Sequence, residues 1–334
     1  MATLNDIAKR LGLNKTTVSK ALNGSSDISA STRDKVISEA RQIGYAKPNR
    51  AKKKAVQKQI VGVICPEITS FYYASLVTEL TELLHHKGYK TVVMLSNFST
   101  DIEKECIAEL ISLNVSGVIF ITEESDVSPS IHALSGVNDM PLVIIGLNCT
   151  SRDFDTVSVD ENYAIQLITD YLLSLDHQSF AFIGDNLVGK RLEYLQKRLE
   201  SKGIPLRPEN IYLSEKRNEE CGYECMSRLL EANELPSAVV AGYDTIALGA
   251  LRALSEHGLS APEHLSLVSF DDANFSKYLP HSITTVSYDA AAESKVAVAI
   301  LLSRINDGNS TFKQAAAIIP KLIIRESSST CKER

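Results

Sequence analysis

Residues Thr3–Gly24, TLNDIAKRLGLNKTTVSKALNG, decide how the chain begins to fold. Thr3 can cap a helix in which Leu4, Ile7, Ala8 and Leu11 recur at i, i+3, i+4 and i+7, a single apolar stripe. Gly12 ends that helix, and Leu13 bridges to a second one starting near Asn14, with Val18, Ala21 and Leu22 facing inward. Asn23-Gly24 stops it. Ser29 or Ser31 can cap a third helix, whose inward stripe is Val36, Ile37, Ala40 and Ile43 and whose end is Gly44. Two short helices joined through a glycine have helix-turn-helix spacing. The second presents a polar outer face of Lys15, Thr16, Ser19 and Lys20, donors that can reach base edges in a major groove. Many small helical bundles share this pattern, so it acquires meaning only from its setting.

Charge supplies that setting. The 334 residues carry a net charge of −6, but residues 1–58 hold 13 Lys/Arg against 4 Asp/Glu. The rest of the chain is correspondingly acidic. A basic head on an acidic body points to a polyanion-binding module joined to something else. With 44% hydrophobic and 23% charged residues the composition is that of a globular protein. No apolar run reaches the ~18–20 residues of a membrane span. The polar start MATLNDIAKRLG lacks the apolar stretch of a leader, so the expected location is cytoplasmic. The cysteines (65, 106, 149, 221, 225 and 331) are scattered, which argues against a disulfide framework or a zinc site.

From residue 60 onward, apolar β-rich runs alternate with amphipathic stretches. The strands expected are 60–65, 91–96, 117–122, 142–146, 180–184, 238–241 and 265–270; the helices are 72–87, 102–113, 162–175, 190–202, 219–231, 246–257 and 290–306. Such alternation means parallel sheets covered by helices, and about 270 residues of it suits two lobes rather than one sheet. Thr156–Val159 and Thr284–Ser287 break the pattern and read as lying near crossings between lobes. The expected fold class is therefore α/β, a three-helix head plus a two-lobed body with parallel sheets. Its divisions are a head at 1–46, a linker at 47–58 and a body at 59–330. Within the body, lobe 1 takes about 59–158 plus 289–318, and lobe 2 about 159–288 plus 319–330. No dinucleotide fingerprint, phosphate-binding loop or nucleophile elbow is present, and the adjacent His85-His86 diverge on a helix. An enzyme, a metal and a cofactor are all unexpected.

Several runs carry a resemblance. Thr3-Leu4-Asn5-Asp6-Ile7-Ala8, Thr17-Val18-Ser19-Lys20-Ala21-Leu22-Asn23-Gly24, Ile28-Ser29, Thr32-Arg33, Ile43-Gly44-Tyr45 and, near the end, Leu322–Ser327 resemble the lactose-repressor/galactose-repressor family of bacterial transcription factors. The resemblance implies a periplasmic-binding-protein-like body and a regulator, in most relatives a repressor, that binds a near-palindromic operator as a dimer. It places Lys15, Thr16 and Lys20 where relatives read bases, and Asn5, Thr17, Ser19, Asn23, Ser29 and Thr32 where they touch the DNA backbone; Ser29 and Thr32 can equally be helix caps. It makes Tyr72, Tyr73, Arg191, Tyr243 and Asp271 the contacts for a small polar, sugar-like effector in the inter-lobe cleft. The polar tail 327–334 lacks heptad leucines, in keeping with a dimer rather than a tetramer.

Departures are informative. In the linker AKPNRAKKKAVQK (46–58), Asn49 can cap a hinge helix, but neither register supplies the leucine that relatives wedge between base pairs. Lys52, Lys53 and Lys54 offer phosphate neutralisation instead, and a smaller operator bend is expected. Tyr243 replaces a smaller amide, the loop 185–190 is short, and Gly146-Leu147 stand where relatives carry charge. Together these point to a smaller or less sugar-like pocket, with control by a partner protein as the alternative.

Overall fold

The computed structural model describes residues 4–22, 27–43, 59–122, 140–147, 149–232, 234–308 and 312–332. It divides into two compact units, Met1–Gln57 and Lys58–Arg334, each taken by itself below.

The first unit contains α1 (Leu4–Leu11), α2 (Lys15–Leu22) and α3 (Ala30–Gln42). Gly12 closes α1 in the left-handed region at φ 62°, where a side chain would be strained. Asn14 starts α2: its Oδ1 accepts from both the backbone N–H and the hydroxyl of Thr17, each at 3.0 Å. Ser29 supplies the cap of α3, accepting from the Thr32 N–H at 3.3 Å while its hydroxyl bonds Thr32 Oγ1 at 2.9 Å. Ile7, Ala8, Val18, Ala21, Val36 and Ala40 form the buried core, with Leu11, Leu13, Leu22, Ile28 and Ile43 packed at its edge. Thr3, Asn23, Gly24 and Gly44, read as helix boundaries, lie outside the described residues.

The second unit holds two sheets. Among the described residues the first has the order β11-β5-β4-β3-β1-β2, all parallel. Its strands are β1 (Ile60–Cys65), β2 (Lys90–Leu95), β3 (Gly117–Thr122), β4 (Leu142–Leu147), β5 (Asp155–Val159) and β11 (Ala315–Ile318). The second has the order β12-β10-β9-β8-β6-β7, with β12 alone antiparallel. Its strands are β6 (Phe180–Asp185), β7 (Ile211–Ser214), β8 (Ala238–Ala241), β9 (Ser266–Phe270), β10 (Thr284–Ser287) and β12 (Lys321–Ile323). The connecting helices are α4 (Phe71–His86), α5 (Thr100–Ser112), α6 (Glu161–Ser174), α7 (Gly189–Ser201), α8 (Asn218–Leu230), α9 (Asp244–Glu256) and α10 (Ala290–Asp307). β1, β3, β4, β6, β8 and β9 are almost wholly buried, as strands covered by helices on both faces must be.

Two corrections follow. Thr156–Val159 and Thr284–Ser287 are sheet strands, inside β5 and β10, after which the chain passes between sheets. Their hydroxyl-rich sequences conceal this; the Thr284 hydroxyl is taken up inside the protein, 2.7 Å from Ser328 Oγ. Three strands, β7, β11 and β12, go unforeseen, being edge elements of only three or four residues.

One packing contact is unusually close. A Cβ on Gly249 would lie 2.0 Å from the Glu219 carbonyl oxygen, and one on Gly222 would lie 1.8 Å from that of Ile246. Helices α8 and α9 therefore meet backbone to backbone. Alanine normally improves a helix by about 1 kcal/mol over glycine. Here steric displacement, of order 1–3 kcal/mol, outweighs that gain. Gly249→Ala is expected to lower the urea midpoint; a midpoint at or above that of the parent would show that the helices separate freely.

Candidate functional site: the cleft between the lobes

Both sheets share the doubly wound order in which ligands sit beyond the carboxyl ends of the strands. The carboxyl ends converge on one cleft, with a cavity of about 70 Å³. A water needs roughly 10–15 Å³ on this measure, so the space is on the order of five waters. From the first sheet come Ser70, Tyr72 and Tyr73 after β1, Leu147 at the end of β4 and Glu161 after β5. From the second come Arg191 after β6, Arg217 after β7, Tyr243 after β8, Asp271 after β9 and Tyr288 after β10. The five residues singled out from sequence, Tyr72, Tyr73, Arg191, Tyr243 and Asp271, thus stand around one cavity.

Arg191, 5% exposed, sits in the first turn of α7. Its Nε donates to Glu161 Oε1 at 2.7 Å and its Nη1 to the Gly242 carbonyl. The guanidinium carbon lies 4.4 Å from the Phe270 ring centroid, a cation–π contact. Asp271 follows β9 with φ 100°, a backbone conformation costly for a non-glycine residue, and its N–H donates to Val286 O at 2.9 Å. Tyr243 differs from the simple expectation of a ligand-facing phenol. Its hydroxyl donates to Asp185 Oδ2 and accepts from the Asn218 N–H at 3.3 Å. Burial, then the charge of Asp185, push that phenol well above its usual range.

Four contributors were not legible in sequence. Glu161 opens α6, and nothing in the sequence marks it as the partner of Arg191. Arg217 pairs with Glu67 Oε1 at 2.8 Å and with Asp185 Oδ2 at 3.2 Å. Ser70 is 7% exposed, and its Oγ has no hydrogen-bond partner within the described residues, so it is available to a ligand. Glu293, fully buried on α10, accepts from the Tyr72 hydroxyl at 2.9 Å.

In the head, Lys15, Thr16 and Lys20 are exposed on α2, whereas Thr17 and Ser19 are half-buried. Lys20 Nζ lies 3.1 Å from Asp27 Oδ2, both ends at least half exposed. Such a pair is worth about 0–1 kcal/mol and does not tie the lysine down. Thr17, Ser29 and Thr32 take part in helix caps, and Asn5 lies in α1. Asn23, Asn49, Lys52, Lys53 and Lys54 lie outside the described residues. Among the described residues no helix is long and apolar enough to cross a membrane.

Comparison with known proteins agrees with this architecture. Residues 3–49 match the model of the bacterial regulatory proteins of the lacI family, and residues 169–328 match that of a periplasmic binding protein-like domain. The chain is 31% identical over 338 residues, covering 98% of both chains, to the HTH-type transcriptional repressor PurR of Haemophilus influenzae (strain PittEE). Two solved structures share the fold. The transcriptional regulator CelR in complex with cellobiose has 23% identity and a TM-score of 0.71, with 98% of this chain and 100% of that one covered. The lac repressor dimer bound to operator and the anti-inducer ONPF has 22% identity and a TM-score of 0.71, with 98% and 99% covered. The chain belongs to the lacI family of bacterial regulatory proteins and is a DNA-binding transcriptional regulator.

Glu293 gives the cleft wall a pH signature. Burial pushes its carboxyl up from 4.5 to about 8; the Tyr72 hydrogen bond opposes the shift, and the charges of Asp289 and Asp271 add to it. The folded protein thus binds this proton more tightly than the unfolded chain does. The associated stability is fully present below about 4.5 and is lost as pH rises through about 8. Between those values one linked proton contributes about 1.4 kcal/mol per pH unit. Glu293→Gln mimics the neutral acid and is expected to flatten melting temperature against pH across this window. An unchanged slope would show that Glu293 is ionised at neutral pH.

Proposed function

We propose that this regulator represses transcription as a dimer on a near-palindromic operator, and that a small polar, sugar-like molecule in the cleft tunes operator affinity through the angle between lobes. The observation that carries the proposal is the clustering of Tyr72, Tyr73, Arg191, Tyr243 and Asp271 around one cavity, from elements far apart in sequence. CelR, a protein of the same fold, is described in complex with a sugar, cellobiose. Tyrosine faces and charged donors and acceptors suit a hydroxyl-rich ligand. A ligand acts only by binding one lobe arrangement better than another, and the operator must discriminate between the same arrangements.

For the head, Lys15, Thr16 and Lys20 read bases, while Asn5, Thr17, Ser19, Asn23, Ser29, Thr32 and Asn49 fix register on phosphates. Lys52, Lys53 and Lys54 add a sequence-independent charge term. Ser29 reaches a phosphate only by turning its hydroxyl away from Thr32. The divisions at 1–46, 47–58 and 59–330, with lobe 1 about 59–158 plus 289–318 and lobe 2 about 159–288 plus 319–330, assign each task to its own segment.

Two measurements test this. Melting of the full chain is followed with sugars, sugar phosphates, nucleosides and purines. A ligand at about 100 times its dissociation constant adds about 2.7 kcal/mol, and Arg191→Ala is expected to abolish the shift. A flat response across the panel favours control by a partner protein. Lys20→Ala is expected to cost about 1–3 kcal/mol on operator DNA and much less on unrelated DNA. Equal losses on both would reassign Lys20 to phosphate contact.

A further inference from the structure

The lobes are joined covalently at one side only. The chain passes between the sheets after β5, after β10 and between β11 and β12, and these strands are at or next to one edge of their sheets. Glu67 and Phe98 follow β1 and β2, and Arg217 follows β7, all at the other side of the sheet order. A contact there acts on lobe closure with the longest lever the fold offers.

Arg217 makes that contact. It belongs to the second sheet's lobe, yet its Nη1 lies 2.8 Å from Glu67 Oε1 of the first, and its guanidinium carbon lies 5.1 Å from the Phe98 ring centroid. On its own lobe, Nε lies 3.2 Å from Asp185 Oδ2, and that carboxylate also receives the Tyr243 hydroxyl. Asp185 is 2% exposed and Leu187 N donates to its Oδ1 at 3.0 Å, so the anchor is fixed. Glu67 is held in turn by the Thr69 hydroxyl at 2.5 Å. Arg217 is itself only about a quarter exposed. The cation is thus positioned by its own lobe and meets the opposite one through an ion pair and a ring contact.

We infer that Arg217 is a positioning residue that latches the two lobes through Glu67 and Phe98, so that protein groups alone bias the cleft towards closure. This deepens the proposed function and rests on it for its regulatory meaning: an effector would act against, or together with, an existing bias. Tyr243 then serves the latch by orienting Asp185, which gives this large residue a role beyond lining the cavity.

The test uses the full chain with no small molecule added. Spin labels are attached at K104C in one lobe and K197C in the other, both surface lysines, in a C331S background that removes the partly exposed native thiol. With labelled chains diluted among unlabelled ones, so that only pairs within one subunit are read, the expected parent result is one narrow distance distribution. E67Q and R217M are each expected to move it to longer, broader distances, and the double variant no further than R217M alone. Raising salt is expected to loosen the parent in the same direction, because the pair is partly solvated. E67Q is nearly isosteric and guards against misfolding of R217M, with melting temperature as the control. Distributions superimposable on the parent in both variants overturn the latch. Operator affinity measured alongside separates the two readings: an unmoved distance with intact operator binding sinks only the latch, whereas absent operator binding sinks the proposed function.

Discussion

The burial of the Arg191 guanidinium is the constraint around which the body is organised. Its charge is matched by Glu161 at 2.7 Å, its Nη1 is taken up by the Gly242 carbonyl, and its face is covered by Phe270, with Tyr288 at 5.6 Å. These partners stand at the ends of β5, β8, β9 and β10, while Arg191 itself follows β6. One cation therefore indexes five strand ends against one another. Loss of one partner from such a pair leaves a buried charge uncompensated, typically at about 3–5 kcal/mol.

Two further polar clusters work the same way at other depths. Asp244, fully buried at the start of α9, accepts from Ser276 Oγ at 2.6 Å, Thr285 Oγ1 at 2.8 Å and Ala273 N at 2.7 Å, and from Ser269. It binds the helix to β9 and β10 and to the loop between them. Asp155 and Arg304 form a paired contact at 2.7 and 2.9 Å, and Asp155 also accepts from Gln314 N at 2.8 Å. The pair fixes β11 beside β5. Such networks cost little when every member is satisfied and define one arrangement rather than many.

Periodicity disclosed most of the fold because most strands are buried on both faces. Runs such as IVGVIC and GVIFIT admit little else between amphipathic stretches. Three of the four edge strands escaped for a physical reason: AAAI and KLI, for instance, hold their places by pairing with distant strands, which no local pattern records. The site divided similarly. Arg191 and Asp271 were visible through the family resemblance. Glu161, Arg217 and Glu293 were not, since each matters through a partner 30 or more residues away. Tyr243 was identified as a cleft residue, but its bond to Asp185 depended on a loop geometry the sequence does not spell out.

The three passages of the chain between sheets have a mechanical consequence. A single tether would let one lobe swivel about any axis. Three tethers along one margin behave like a door hung on three pins: rotation about their common line stays soft, while twisting and sliding are resisted by covalent bonds. Free energy delivered anywhere in the cleft is then channelled into one coordinate instead of being dissipated across many. A weak signal can thereby produce a displacement of defined direction.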